Sequence, residues 1–512
     1  MMSGRRILCV VALVVASGCA QLAPRAELPI EQALPPAATT YLDQLMAPRE
    51  AARPGQSAFR LLHDGPEAFA LRAISAQQAG RSLDVQTYIW HDDLTGSYLA
   101  WLILEAADRG VRVRLLVDDM DARAKNYGFA ALAAHPNIHV RMFNPFSTRR
   151  GALALVFEAL GSFSRINRRM HNKTWIVDNR LAIAGGRNLG DEYFGAAADG
   201  NFVDLDFAMV GPVVRDASAS FDAYWNSPLA YPMTELAPAD ISPERLDLLR
   251  SRLAEGLDAA RDSRYARELG DDDVVRRLVA GDWPMTWTAD YRFVADDPRK
   301  AEGAFEGAEG SAVIAALLPA MRGSREALTV ISPYFVPGDG GTALLVGIDQ
   351  AGSDVRVLTN SLAANDVAAV HGGYARHREA LLVGGVELWE LKPVSEEGTR
   401  LSLVGSSGAS LHTKAMVLNR RGLFVGSYNL DPRSTSLNCE QGVLVESEVL
   451  ALELEALFAE QVAGARAWAV ALEDGELRWR DGMREESRDP DASFGRRFQA
   501  WLARILRIDA QL

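Results

Sequence analysis

Along most of this chain, short runs dense in Val, Ile and Leu alternate with longer stretches whose apolar residues recur every three or four positions. The first pattern is that of buried strands, the second that of amphipathic helices. Residues 83–90 read as a strand, 97–109 as a helix, 111–117 as a strand, and 138–143 as a further strand after another helix. A strand pair at 174–177 and 181–184 closes on the turn Gly185-Gly186. The same order then returns: strand 327–332, helix 342–351, strand 355–358, helix 374–382, strand 386–391, and a last pair at 415–418 and 423–425. A repeat of roughly 200 residues far exceeds a solenoid period and predicts two fused copies of one α/β unit. We place the copies at 57–235 and 311–512, with a charged, mainly helical linker over 236–310.

Composition narrows the partners. The 512 residues are 48% hydrophobic and 24% charged, as in a well-packed globular protein. The net charge of -13 argues against a general nucleic-acid binder, which collects on phosphates with a basic face. At the N-terminus, Arg5 and Arg6 precede a short apolar run, 7–15, too brief for an ordinary membrane span. Ala16-Ser17-Gly18-Cys19 follows and resembles a bacterial lipobox, with Ala16 where Leu is usual. The expectation is a signal peptide over 1–18, lipid on Cys19, and a Pro- and Ala-rich tether over 19–56. The protein would then be an exported lipoprotein facing the periplasm of a bacterial envelope, at the inner or the outer membrane. Cys9 leaves with the signal and Cys19 carries lipid, so Cys439 remains alone and no disulfide forms.

The candidate chemistry sits in two short segments. Only eight His and five Lys occur in the chain, so chance predicts about 0.08 His-x-Lys triplets. Two occur, His171-Asn172-Lys173 and His412-Thr413-Lys414, each with an Asn seventeen positions after the His, Asn188 and Asn429. In an extended segment, side chains i and i+2 share a face, so His171 projects with Lys173 and His412 with Lys414. Displacing an alcohol from a phosphodiester takes a nucleophile, a proton for the leaving oxygen, and positive donors on the other oxygens. A neutral imidazole supplies the first and a protonated one the second. Each Lys is a compact cation and each Asn amide a further donor. No metal-ligand cluster or cofactor motif is visible in the sequence.

These residues carry a resemblance. His171-Asn172-Lys173 with Asp178 and Gly185-Gly186-Arg187-Asn188, and His412-Thr413-Lys414 with Gly426-Ser427-Tyr428-Asn429, resemble the paired motif of the phospholipase D superfamily. Phrases at 88–96, 332–337, 359–362 and 426–434 make the chain most similar to its bacterial cardiolipin synthase-like branch, over nearly all of 57–512. The resemblance implies an α/β protein of two phospholipase D-like sandwich halves, related by a pseudo-twofold axis, with one shared active site and no metal or cofactor. It implies His171 as the nucleophile forming a phosphohistidine, and His412 as the acid that later deprotonates the incoming alcohol or water. Pseudo-symmetry leaves the reverse assignment open. It further implies a carboxylate behind each imidazole, Glu440 and Asp204, with Asp206 a secondary candidate, and Asp178 as a member of the catalytic motif.

Asn419 stands where the first copy has Asp178. Its odd spacing from Lys414 puts it on the opposite face of the strand, where it would tie down a turn. The tyrosyl-DNA phosphodiesterase branch resembles this half in lacking the Asp, so both halves are expected to work.

The implied reaction is phosphatidyl transfer, making cardiolipin from phosphatidylglycerol and a second phospholipid, with phosphatidylethanolamine a candidate donor. Hydrolysis to phosphatidic acid uses the same residues and stays open. A nuclease is disfavoured by the net charge, and a non-catalytic lipid-binding lipoprotein by the two intact His-x-Lys pairs.

Three weaker features complete the reading. Residues 143–170 mix apolar side chains with Arg149, Arg150, Arg165, Arg168 and Arg169, fitting an interfacial segment or a core helix equally. The run 494–508 sets Arg496, Arg497, Arg504 and Arg507 against Phe498, Trp501, Leu502, Ile505 and Leu506, and docking on the body is favoured over lying on a membrane. His371, Tyr374, His377 and Arg378 are candidates for a headgroup pocket or a polar helix face; His63, His135 and His139 have no motif partner.

Overall fold

Among the described residues, twenty-one strands fall in two large sheets and one small one. The computed structural model describes residues 25–122, 125–147, 163–198, 200–279, 284–305, 307–393 and 410–506. The expected signal peptide, Cys19 and residues 148–162 of the arginine-rich segment lie outside the described residues. The first ten strands are β1 (Ser57–Leu62), β2 (Ser82–Thr87), β3 (Arg112–Asp118), β4 (Ile138–Phe143), β5 (Thr174–Val177), β6 (Leu181–Gly185), β7 (Phe202–Val203), β8 (Asp206–Val210), β9 (Ala230–Pro232) and β10 (Thr286–Thr288). The others are β11 (Tyr291–Ala295), β12 (Ala327–Ile331), β13 (Asp354–Asn360), β14 (Glu387–Leu391), β15 (Ser410–Leu411), β16 (Ala415–Leu418), β17 (Gly422–Gly426), β18 (Gln441–Glu446), β19 (Ala467–Glu473), β20 (Glu476–Arg480) and β21 (Glu485–Glu486).

The sheets run β10-β1-β8-β6-β5-β2-β3-β4-β9 and β11-β18-β17-β16-β12-β13-β14-β19-β20-β21. Without the edge additions β10, β20 and β21, the two orders correspond strand for strand, from β1 with β11 to β9 with β19. Each has a parallel trio, β2-β3-β4 or β12-β13-β14. Parallel neighbours need crossovers, and helices Leu94–Asp108 and Gly338–Gln350 supply one in each half. The duplication is thus a repeat of topology as well as of motif.

Two sequence expectations need correction. The stretch 236–310 is helical at Pro243–Ala260, Arg264–Asp271 and Asp273–Val279. It then contributes β10 to the first sheet and β11 to the second, pairing with β1 and β18. The second half therefore begins ahead of residue 311, because edge strands of a few half-buried residues leave little periodicity to read. Nor does a loose tether extend to residue 56. Helix Tyr41–Ala51 starts at a capping box on Thr40 and buries Leu42 and Met46. Its Asp43 is ion-paired with Arg81 at 2.9 Å and Arg180 at 2.7 Å.

Along the central strands every side chain is buried and successive ones face two different cores, as a pleated strand covered on both sides requires. Trp175 and Val177 join the outer core of the first half, with helices Gly65–Gln78 and Leu94–Asp108, while Ile176 joins the core between the sheets. Met416 and Leu418 likewise face the outer core of the second half, and Ala415 and Val417 the shared one. Phe59, Phe207 and Met209 of one sheet pack in that shared core with Leu423, Val425 and Val443 of the other. Helices Pro212–Trp225 and Glu448–Val462 sit in the same shared core, so the layers run helix, sheet, helix, sheet and helix, and the halves are one folding unit because each inner face is the other's core.

Candidate active site

Both His-x-Lys segments lie on the seam between the halves, each entering a central strand, β5 or β16. A short parallel bridge crosses the seam at each. The bridge Met170–Cys439 brings the His171 N–H to the Cys439 carbonyl at 2.9 Å. The β7–β15 pair, Val203 with Leu411, brings the His412 N–H to the Val203 carbonyl at 2.8 Å. In each case the next residue on the opposite strand is acidic, Glu440 or Asp204. The carboxylates are therefore exchanged: His171 Nδ1 lies 2.9 Å from Glu440 Oε2, and His412 Nδ1 2.5 Å from Asp204 Oδ2. A carboxylate on Nδ1 holds the proton there and leaves Nε2 as the reactive nitrogen.

Local packing explains why these residue types stand here. Arg187 donates to the carbonyls of Leu62, His63, Tyr193 and Asp204 at 2.6–3.1 Å, tying the Gly185-Gly186 turn to the Asp204 segment. A Cβ on Gly186 would stand 2.1 Å from Asp204 Oδ1, so the first half needs glycine there. In the second half Ser427 takes that place, and its hydroxyl donates to Glu440 Oε2 at 2.5 Å. Asp118, fully buried and paired with Arg169, accepts the Met170 N–H at 2.9 Å and so anchors the chain just before His171. Asn360 does the same before His412, bonding Leu411 N–H and C=O, both at 2.9 Å.

The electrostatics follow from burial and crowding. Each Lys folds back on its own motif, Lys173 Nζ donating to His171 O at 2.6 Å and Lys414 Nζ to His412 O at 2.5 Å. Burial pushes the His171 imidazole down to about 4, with Lys173 and Lys414 adding to the push and Glu440 opposing it. Burial and Lys414 lower His412, against Asp204. Burial also lowers Lys173 to about 7 and Lys414 to about 8. Glu440 is raised by burial but pulled lower on balance by His171 and Lys173; Asp204 likewise by His412 and Lys414. With both imidazoles neutral, the two amines balance the two carboxylates, so an anionic diester brings a proton into the site with it. Lys414 acts on His171 and Lys173 on His412, which makes the two motifs one site.

The model of the family described as "Cardiolipin synthase, PLD-like domain" matches residues 73–225 and 317–462. The chain belongs to this family. It is 40% identical over 466 residues to cardiolipin synthase C of Escherichia coli (strain K12), covering 89% of this chain and 96% of that protein. It is 30% identical over 463 residues to an uncharacterized protein of Helicobacter pylori (strain ATCC 700392 / 26695), covering 89% and 90%. Among solved structures, phosphatidylserine synthase of Haemophilus influenzae Rd KW20 superposes with a TM-score of 0.57 over 88% of this chain and 94% of that one, at 13% identity. That identity speaks for the fold alone. Two phospholipase D-like halves in one cardiolipin synthase-like enzyme are what the topology and the family share.

Of the predicted site residues, the seam gathers His171, Lys173, Asp204, His412, Lys414 and Glu440. Asn188 is turned into the first half, accepting from Ile89 N at 3.2 Å and donating to the Tyr193 hydroxyl at 2.9 Å. Asn429 is buried, its side-chain oxygen without a partner among the described residues. Asp178 is a correction to the catalytic set. It lies at the far end of β5 from His171, in a left-handed turn (φ 53°), and accepts the backbone N–H groups of Gly80, Arg81 and Ser82. Asn419 does the same for Arg325 and Glu326 at φ 54°. Asn and Asp both tolerate left-handed backbone, which is why they interchange here. Asp206 pairs with Arg72 and Arg187 instead of an imidazole. His371 and Arg378 bond Asp489 under the C-terminal helix, not the motif residues. His135 pairs with Asp108, and His63 and His139 are exposed.

Sequence reading missed the aromatic walls. Tyr88 stands edge-on to His171 with ring centroids 5.1 Å apart, and Tyr193 and Phe202 flank His412 at 5.3 and 5.1 Å. The only available signal was position, just after β2 or before Asp204. It also missed Gln441, whose amide spans the seam to Lys173 O at 2.7 Å. Among the described residues, two groups bring metal-ligand atom types together, His91-Asp93-Glu192 and His371-Glu390-Asp489. The Arg378 guanidinium fills the second, bonding all three members, and in the first His91 pairs with Glu192 at 2.9 Å while Asp93 caps a helix.

Proposed function

We propose that this protein makes cardiolipin by transferring a phosphatidyl group to the glycerol headgroup of phosphatidylglycerol, through a phosphohistidine on His171. The observation that carries the reading is the exchange of carboxylates across the seam, which pins both Nδ1 atoms and presents two Nε2 atoms beside two amines.

In the first step, His171 Nε2 attacks phosphorus and the P–O bond to the leaving alcohol breaks, while His412 Nε2–H gives its proton to the departing oxygen. In the second, the acceptor hydroxyl loses its proton to His412 as its oxygen attacks phosphorus and the P–N bond breaks. Atoms and charge balance over the cycle. Burial and its lysine neighbours keep His171 neutral near pH 7, the form that attacks. His412 takes up its proton with the anionic diester, whose charge opposes the lysines that hold it neutral. Lys173 and Lys414 stabilise the added charge on the phosphoryl oxygens. Phosphatidylglycerol serves as acceptor, and phosphatidylglycerol or phosphatidylethanolamine as phosphatidyl donor.

We also propose that the protein is exported, acylated on Cys19, and faces the periplasm from a bacterial membrane. The signal-like run 7–15 and the sequence Ala16-Ser17-Gly18-Cys19 support this. Labelled palmitate incorporated by the wild type and lost in Cys19→Ala would support it; incorporation unchanged in the variant would refute it.

The enzymatic reading is tested by expression in cells without cardiolipin, followed by lipid extraction. Cardiolipin is expected with the wild type and not with His171→Ala. Phosphatidic acid in its place would establish hydrolysis, and product formation undiminished in His171→Ala would sink the assignment.

A further inference from the structure

The C-terminal helix, Phe494–Leu506, is mounted inside out. Its large apolar residues recur at 494, 498, 501, 502 and 505, one helical face, and this is the face turned to solvent. Phe494 is 84% exposed, Phe498 50%, Trp501 53% and Ile505 55%. The Phe498 and Trp501 rings stack on one another at 5.8 Å, extending the ridge. The helix instead docks by its small residues. Ala500 and Ala503 are buried against helix Ala368–Ala375, where a Cβ on Gly372 would lie 2.4 Å from the Ala500 carbonyl oxygen. That contact leaves no room for the helix to roll its apolar face inward.

Guanidiniums flank the ridge. Arg488, Arg497 and Arg504 line a polar groove of about 620 Å³ beside the helix, which also takes in Glu379, Glu476 and the ion pair of buried Arg378 with Asp489. Arg496 donates to the carbonyls of Leu362 and Asn365. The neighbouring Asp366 bonds the Tyr334 hydroxyl at 2.8 Å and acts on Lys414 of the site. The ridge is therefore connected, through one loop, to the seam.

We propose that this helix is the surface by which the protein body docks on an anionic phospholipid bilayer, its apolar ridge in the headgroup–acyl boundary and its arginines on lipid phosphates. The inference rests on the phospholipid reading of the site. A chain of net charge -13 is repelled by an anionic surface, so it needs a basic, apolar face to land on. A second copy is the poorer occupant. A 13-residue helix is about 20 Å long, so its face covers roughly 200 Å², against about 800 Å² per partner in a stable interface.

The test places an environment-sensitive fluorophore on the full-length chain carrying Cys9→Ser and Cys19→Ser, through Phe498→Cys or, as control, through Val449→Cys at an exposed position of helix Glu448–Val462. Buried Cys439 does not compete for the label. With vesicles of phosphatidylglycerol and phosphatidylcholine, the probe at 498 is expected to shift blue and be quenched by nitroxide-labelled acyl chains, while that at 449 stays aqueous. Pure phosphatidylcholine should give a several-fold weaker response. An aqueous probe at 498 on vesicles that bind the protein would overturn the proposal. So would a blue shift without vesicles that scales with protein concentration, which would mean a dimer. Adding His171→Ala separates the two readings: it abolishes product if the catalytic reading is right and leaves the 498 signal unchanged if this one is.

Discussion

His171 and Glu440 are separated by 269 residues of chain and by 2.9 Å in space. His412 and Asp204 repeat the relationship in the opposite sense. Neither half contains a complete imidazole–carboxylate pair, so the enzyme could arise only as a fused or paired unit. The seam is both its core and its catalytic centre.

Removing either carboxylate charge should therefore disable one imidazole from the other half. Glu440→Gln and Asp204→Asn are each expected to lower kcat by roughly 10³–10⁴ with a small change in KM, as when an orienting carboxylate is lost from a His. Steady-state turnover on mixed micelles of phosphatidylglycerol measures this, with thermal unfolding as the control for folding. Activity within tenfold of wild type would mean the exchanged carboxylates only hold the halves together.

The glycine at 186 carries a sharper test. A Ser side chain there would begin 2.1 Å from Asp204 Oδ1 and drive the carboxylate off His412. A displacement of about 1 Å costs on the order of 10² in rate, so Gly186→Ser should lose at least that much. Because Ser427 and Glu440 coexist at the equivalent place, adding Asp204→Glu should recover part of the loss. Kinetics of the single and double variants decide it.

Position 419 should be indifferent to catalysis. Asn419→Asp keeps the acceptor for the Arg325 and Glu326 N–H groups and is expected to leave turnover within a factor of a few. Asn419→Ala removes that acceptor from a left-handed turn and should cost about 0.5–1.5 kcal/mol of stability. Urea unfolding and turnover, measured side by side, separate the two effects.

The pH dependence follows from the lowered bases. An anionic diester binds protonated amines, so kcat/KM, which reports the free enzyme, should fall as pH rises through the values of about 7 and 8 at Lys173 and Lys414. The loss should appear mainly in KM. On the acid side His171 stays neutral down to about 4, so no acid limb from the nucleophile is expected above about pH 5. An alkaline limb beyond pH 10 would show the lysines to be unshifted. Proton uptake on binding at pH 8, read by calorimetry in buffers of different ionisation enthalpy, is the independent check.

Much of this was legible in the residues. The central strands β2, β3, β4, β5 and β12, β13, β14, β16 are apolar runs bounded by turn residues, and burial on both faces makes such runs conspicuous. The edge strands β10 and β11 were not legible as part of the repeat, nor the helix Tyr41–Ala51 behind a Pro- and Ala-rich segment, because partial burial leaves a weak pattern. Tyr88, Tyr193 and Gln441 escaped because an aromatic or an amide in a buried setting looks like any other core residue.

The sequence by itself determined the duplication, the two His-x-Lys pairs and the α/β class, since these depend on residue identity and on spacing along a strand. Tertiary structure alone decided which carboxylate serves which imidazole, and that the C-terminal helix shows its apolar face to solvent. Each of those depends on which segments meet across the seam or at a helix contact. Contacts between residues hundreds of positions apart leave no periodic trace in the chain that makes them.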